Sequence, residues 1–315
     1  MEGITDPIYR ETLMAIYPEW KYFSTDFLRL PTVGELKEKH IIKHFGENIY
    51  NTQEYFSKTY FQILTTLRVN NPAMIKLISN MGIKLLDLNL GCPSKKVNAH
   101  GGGSYLLQDL EALKIILEQI RENFSHSFSV KIRLGYKNTD NFLKLLEIFE
   151  YYKIDHITIH ARTKQELYKG HSDWNYFKIA SENCSIPLIL NGDINTLEDI
   201  NNVTSTYKNN GLMIARGALR SPWLAKEYYS KENIKLNYHH EIINYYNCLL
   251  QNYTKYLCEP EYILKRFKSF SVYIIRDLTL RKLLLRSQSL DNFINILGNA
   301  PLEQKASVPF DSFMA

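Results

Sequence analysis

Residues 72–95 read PAMIKLISNMGIKLLDLNLGCPSK, and this stretch decides the architecture. From Pro72 to Met81 the apolar residues recur at intervals of three and four, the period of a helix with one buried face, and Gly82 stands where a helix C-cap belongs. Leu85 to Leu90 then reads as a buried strand, and a polar loop of Gly91, Cys92, Pro93, Ser94 and Lys95 follows it. Helix, strand and polar loop in that order make one repeat of a parallel α/β fold.

The repeat recurs on both sides. Strands are expected at Tyr22 to Thr25, Tyr60 to Thr65, Leu85 to Leu90, Val130 to Leu134, His156 to His160, Pro187 to Leu190 and Leu212 to Ala215, with helices such as Leu110 to Phe124 between them. Their spacing matches the ~25–30 residues of a barrel unit, so a (β/α)8 TIM barrel is expected rather than an open sheet. The barrel's first strand would precede residue 1. The sequence opens instead on Met1-Glu2-Gly3-Ile4-Thr5-Asp6, a loop leading into a helix that starts at Pro7, and a truncated start is the expectation. After about Ser230 only helical periodicity remains, for example Phe267, Phe270, Ile274 and Leu278 down one face. The expected division is a barrel over residues 1–230 and a smaller all-α domain over 231–315.

The chain has 315 residues, 45% hydrophobic and 23% charged, enough to bury one large core or two unequal ones. No stretch approaches the ~20 apolar residues of a membrane span, and no signal-peptide order is seen, so a cytoplasmic protein is expected. Cys92, Cys184, Cys248 and Cys258 are scattered, without a C-x-x-C pair, which argues against zinc, other metals and a disulfide framework. Net charge is only +5. It is concentrated: between Leu264 and Arg286 lie Lys265, Arg266, Lys268, Arg276, Arg281, Lys282 and Arg286 against Asp277 alone, a net +6, interleaved with Phe267, Phe270 and Tyr273. A charged helix is usually a solvated face, but this density with aromatics points to RNA contact.

Barrel enzymes carry their chemistry at the C-terminal ends of the strands. Those ends here hold Asn89-Leu90-Gly91-Cys92-Pro93, Lys131 and Arg133, His160-Ala161-Arg162-Thr163 with Tyr168 beyond, Asn191-Gly192-Asp193, and Ala215-Arg216-Gly217-Ala218. Together with the opening Met1 to Asp6, these segments resemble the tRNA-dihydrouridine synthase family, in order over roughly residues 1–225. A lone cysteine after a strand is more often a small core residue. The Asn-x-Gly-Cys-Pro setting reverses that reading.

The resemblance implies an FMN enzyme, reduced by NADPH, that saturates the C5–C6 double bond of a uridine in the tRNA D-loop. It makes Cys92 the proton donor to C5 while flavin delivers hydride to C6. An unperturbed thiol, with a pKa of ~8.5, holds its proton at neutral pH and can play that part. It also implies that Gln62 bonds the isoalloxazine ring, that Met1, Glu2 and Gly3 pass beside it, and that His160 lies near it. A flavin phosphate needs backbone N–H groups and a cation, which Asn191, Gly192, Asp193, Ala215 and Arg216 offer. Lys131, inside a buried strand, is costly as a bare charge unless it meets an anion such as the edge of a reduced flavin. Ala161 and Ala215 stand where the family usually has glycine, and Ala215 would crowd the phosphate if its φ were positive.

Asn89, Arg162 and Tyr168 are expected to touch the target nucleotide, which must be unstacked to reach a buried flavin. Arg29, Arg266, Lys268, Tyr273 and Arg286 occupy positions like those of the bacterial branch often called C-type, acting at about position 16 of the D-loop. A monomer is expected. Two other readings stand beside this one: an FMN barrel reducing a free pyrimidine, similar to dihydroorotate dehydrogenase, and a non-catalytic tRNA-binding protein.

Overall fold

The computed structural model describes residues 3–230 and 237–300, so Met1 and Glu2 lie outside the described residues. Eight strands are present: β1 (Phe23–Ser24), β2 (Leu28–Arg29), β3 (Thr59–Leu64), β4 (Leu85–Leu90), β5 (Ser127–Arg133), β6 (His156–His160), β7 (Leu188–Asn191) and β8 (Gly211–Leu212). All pairings are parallel, in the order β1-β3-β4-β5-β6-β7-β8. β2 pairs with β3 as well, Leu28 opposite Ile63 where β1 sets Phe23 opposite Thr59, so β1 and β2 are two pieces of one interrupted strand along the same edge. Seven strand positions result, as the sequence spacing implies. Among the described residues no ladder joins β8 back to β1.

The middle strands alternate strictly. Leu86, Leu88, Leu90, Val130, Ile132, Ile157 and Ile159 are wholly buried, while Asp87, Asn89, Ser129, Lys131 and Arg133 lie between them. Period two sends these two sets to opposite faces. The apolar set meets the apolar stripes of the connecting helices, such as Leu113, Ile116, Leu117 and Ile120 of helix Leu110–Asn123, capped by the Asp109 carboxylate on the Ala112 N–H. The polar set shares the other face, which is concave: Lys131 on β5 reaches over β6 to Asn191 on β7.

Internal packing divides the chain into two compact units, one of residues 1–7, 21–194 and 198–214, the other of residues 8–20, 195–197 and 215–315. The second is helical and begins earlier than the loss of β periodicity near residue 230 indicates. It takes in most of helix Pro7–Ile16, because polar groups buried on that helix find their partners there. The Glu11 carboxylate accepts from Tyr256 Oη at 2.5 Å and Lys255 Nζ at 3.1 Å, Thr12 Oγ1 accepts from Asn252 at 2.8 Å, and Tyr17, just past the helix end, donates to Glu241 at 2.9 Å. A carboxylate this buried requires such donors. Phe267, Phe270 and Ile274 form the buried face of helix Pro260–Ile274 as expected, but the helix stops there. Leu278 opens the next helix, Leu278–Arg286, under an Asp277 cap, and is 50% exposed.

Candidate active site

The loop after β4 is built around Asn89. Its Oδ1 accepts from the backbone N–H groups of Gly91 and Cys92, both at 3.0 Å, which turns the chain sharply off the strand and fixes the start of the cysteine loop. The Cys92 carbonyl is held in turn by Ser104 Oγ at 2.8 Å and Asn98 Nδ2 at 2.9 Å. The side chain is 9% exposed, packed with Leu64, Val97 and Phe27. Gly102 and Gly103 serve close approach: a Cβ on Gly102 would lie 3.0 Å from Thr65 O, and one on Gly103, at φ +60°, 3.0 Å from Cys92 O.

Lys131 donates to Asn191 Oδ1 at 3.2 Å, and that neutral oxygen is the one acceptor its ammonium has among the described residues. Burial, with the Arg133 guanidinium alongside, lowers its pKa to about 8, partly offset by Asp87. Asp87 is pushed upward by burial, against the pull of Ser129, Gln62, His156 and Lys131. Burial lowers His156, opposed by Asp87 and Asp155.

At the ends of β6 and β7, Arg162 meets Asp193 in a two-pronged ion pair at 2.6 and 3.1 Å, and it also binds Ser172 Oγ and the carbonyls of Lys169 and Gly170. His160 Nε2 lies 3.4 Å from the same guanidinium. Every N–H of Arg162 is thus engaged within the protein, so contact with a nucleotide would have to be exchanged for one of these bonds. The pair shapes a turn in which Gly192 has φ +112° and Asp193 φ +55°. A Cβ on Gly192 would overlap Ser172 Oγ and come within 2.9 Å of His160 Cδ2. Gly192→Ala is therefore expected to destabilise the protein by about 2 kcal/mol or more, read as a lowered Tm. An unchanged Tm would show that the turn has another form.

Arg133, which carries no role in the sequence reading, donates to the carbonyls of Gly91, Thr163 and Leu167 and ties the cysteine loop to the loop after β6. The exposed ring of Tyr168 lies 5.3 Å from its guanidinium carbon and 6.3 Å from the His160 ring. Gln62 lies beside Asn89, whose Nδ2 donates to its Oε1 at 2.8 Å. Ala215, in the helical unit, has φ −110°, so its Cβ is not the obstacle that a positive φ would make it.

A family model described as dihydrouridine synthase matches residues 1–272. The chain belongs to the dihydrouridine synthase family. It is similar to a "Probable tRNA-dihydrouridine synthase" of Rickettsia conorii, 36% identical over 48% of this chain and 46% of that one. A "tRNA-dihydrouridine synthase B" of Pasteurella multocida is 38% identical over 45% of this chain and 43% of its own. The match thus spans less than half of the length of these two relatives. The "tRNA-dihydrouridine(16) synthase" of Vibrio vulnificus is 30% identical over 87% of this chain and 86% of its own. Among solved structures, an aldolase from Escherichia coli K12 aligns over 78% of this chain and 94% of its own at 11% identity, with a TM-score of 0.33.

For a dihydrouridine synthase-family chain the basic residues of the helical unit are unevenly placed. Arg286 is exposed, while Tyr273 and Lys268 are half-buried, with Lys268 donating to Ser287 O at 2.7 Å. Arg266 is only 7% exposed, its Nε on Tyr253 Oη and its guanidinium 4.9 Å from the Phe270 ring centre. That is a packing position, which offers little to a phosphate. Arg220 is lowered by burial and then by Arg216 and Arg276, so two arginines outside the stretch 264–286 extend its charge around Arg276. In the barrel unit Arg29 is exposed above Phe27 at 5.5 Å. Among the described residues no helix is long and apolar enough to cross a membrane, and no group of His, Cys, Asp and Glu forms a metal site.

Proposed function

We propose that this protein is a tRNA-dihydrouridine synthase that binds FMN, takes its reducing equivalents from NADPH and saturates a uridine of the D-loop. The carrying observation is Lys131: a cation on the concave face whose depressed pKa reflects burial, and whose acceptor is a neutral amide. Such a charge fits an anionic or electron-rich ring laid over the face. Gln62 and His160 share that face, and the Asn191-Gly192-Asp193 turn offers backbone N–H groups at a strand end. These residues, with Met1, Glu2, Gly3, Ala215 and Arg216, would hold the FMN, which when bound supplies hydride to C6 of the base.

The chain's own part is to hold a proton and a base. Cys92 keeps its proton for C5, on a loop anchored at both its N–H and its carbonyl. Asn89 and Tyr168 orient the pyrimidine, with Arg162 bracing the turn beside them. Arg29, Lys268, Tyr273 and Arg286 steer the RNA, with Arg266 stiffening the helix that carries Lys268 and Tyr273, so tRNA affinity should fall steeply with salt. The (16) in the name of the Vibrio relative, aligned over 86% of its length, favours uridine 16 as target. A monomer working in the cytoplasm belongs to the same proposal.

The test is nucleoside mass spectrometry of tRNA incubated with the protein, FMN and NADPH, then mapping of the modified site. New dihydrouridine at one D-loop position is the expected result. A flavin-loaded protein that yields none on any tRNA would overturn the reading.

A further inference from the structure

Asp87 stands two residues before Asn89 on the same face of β4, below the residues assigned to substrate or cofactor. It is 3% exposed, and both of its oxygens are taken: Oδ1 accepts from Ser129 Oγ at 2.6 Å, Oδ2 from Gln62 Nε2 at 2.7 Å. Gln62 Oε1 accepts from Asn89 Nδ2 at 2.8 Å, and Asn89 Oδ1 accepts from the N–H groups of Gly91 and Cys92. Asp87, Gln62 and Asn89 form one continuous line from a buried carboxylate to the backbone of the cysteine loop.

The line has a direction that neither amide can reverse alone. The backbone N–H groups can only donate, so Asn89 must turn its oxygen to them and its nitrogen to Gln62. Gln62 must then offer its oxygen to Asn89 and its nitrogen onward, and only an acceptor can stand at that end. Asp87 is that acceptor. Two N–H donors already occupy Asn89 Oδ1, so Asn89 meets any ligand through its remaining N–H, and Gln62 likewise has one N–H to spare. The amide pair thereby presents donors, which suit a pyrimidine carbonyl and oppose an exocyclic amine.

We propose that Asp87 is a positioning residue: it sets the direction of the Gln62 and Asn89 amides and, through Asn89, the seat of Cys92. This rests on the dihydrouridine synthase reading for its consequence in turnover, but not for its consequence at Cys92. Without the acceptor, Gln62 is released to rotate, the bond to Asn89 weakens, and the Cys92 N–H loses its fixed partner.

The experiment compares Asp87→Leu, which removes the acceptor, with Asp87→Asn, which keeps an oxygen for Gln62 and an N–H for Ser129 while removing the charge. Site-resolved iodoacetamide labelling, read by mass spectrometry on flavin-free protein, is expected to modify Cys92 at least about fivefold faster in Asp87→Leu, and within about twofold of wild type in Asp87→Asn. In the tRNA assay Asp87→Leu is expected to lose about tenfold or more in kcat with little change in KM, and Asp87→Asn to retain most of kcat. Unaltered Cys92 labelling in a folded Asp87→Leu protein overturns the proposal, as does equal damage by both variants. If wild-type protein forms no dihydrouridine, the functional reading fails, while the labelling comparison still decides for or against the role of Asp87.

Discussion

Cys92→Ala is expected to lower single-turnover dihydrouridine formation by about a thousandfold, the scale on which a positioned general acid acts, while leaving flavin content and fold intact. The expectation follows from how the loop is held. Its fixed points are the Cys92 N–H on Asn89 and the Cys92 carbonyl on Ser104 and Asn98, all backbone groups that alanine retains. The thiol packs with Leu64, Val97 and Phe27, and deleting one sulfur from that cluster costs about 1 kcal/mol of stability. Three readouts separate the possibilities: the Tm, the bleaching of bound flavin by NADPH, and dihydrouridine formed per enzyme. Bleaching at the wild-type rate with no dihydrouridine assigns Cys92 to proton donation. Full dihydrouridine formation by Cys92→Ala excludes it as the acid and turns attention to solvent.

Much of the frame was legible because its signals are local. β4 and β6 have the limits that their apolar runs indicate, Leu85–Leu90 and His156–His160, and the helix after Asn70 starts where its proline permits. β5 begins at Ser127 rather than Val130 because Ser127 and Ser129 belong to its polar face, and a polar face on a buried strand does not look like a strand in sequence. The same concealment hid Asp87, whose partners Gln62 and Ser129 come from neighbouring strands. β2, two residues long, has too little chain to show a period.

The site was legible by type more than by task. Cys92 stands out through its Asn-x-Gly-Cys-Pro setting, not as a lone thiol, and Lys131 because a bare charge within a buried strand is costly. Arg162 and Arg266 were read as cations awaiting RNA, since a sequence does not display the Asp193 that answers the one or the Tyr253 and Phe270 that enclose the other. Asn89 is expected from sequence to touch the nucleotide, but its oxygen is already spent on Gly91 and Cys92.

Lys131→Met is expected to make the protein more stable and less able to bind flavin, a divergence that an ordinary core substitution does not produce. Methionine retains most of the lysine stem and removes the charge. In the folded protein Lys131 gives up its proton at about pH 8, because it is buried beside Arg133; in the unfolded chain it holds the proton up to its ordinary value of 10.5. Unfolding therefore takes up a proton between these values, and the lysine's contribution to stability rises as pH rises through that window. Below about pH 8 the penalty of the buried charge is present in full. The Tm of Lys131→Met should exceed that of wild type there by about 5 °C, and the gap should close as pH approaches 10.5. An electron-rich ring over Lys131 reverses the balance, since an anionic partner favours the charged form. Flavin affinity of Lys131→Met should consequently drop at least about tenfold, and single-turnover uridine reduction by about a hundredfold. A variant that is less stable than wild type at pH 7, or that binds flavin equally well, would mean that Asn191 alone satisfies the lysine and that its charge serves the fold rather than the cofactor.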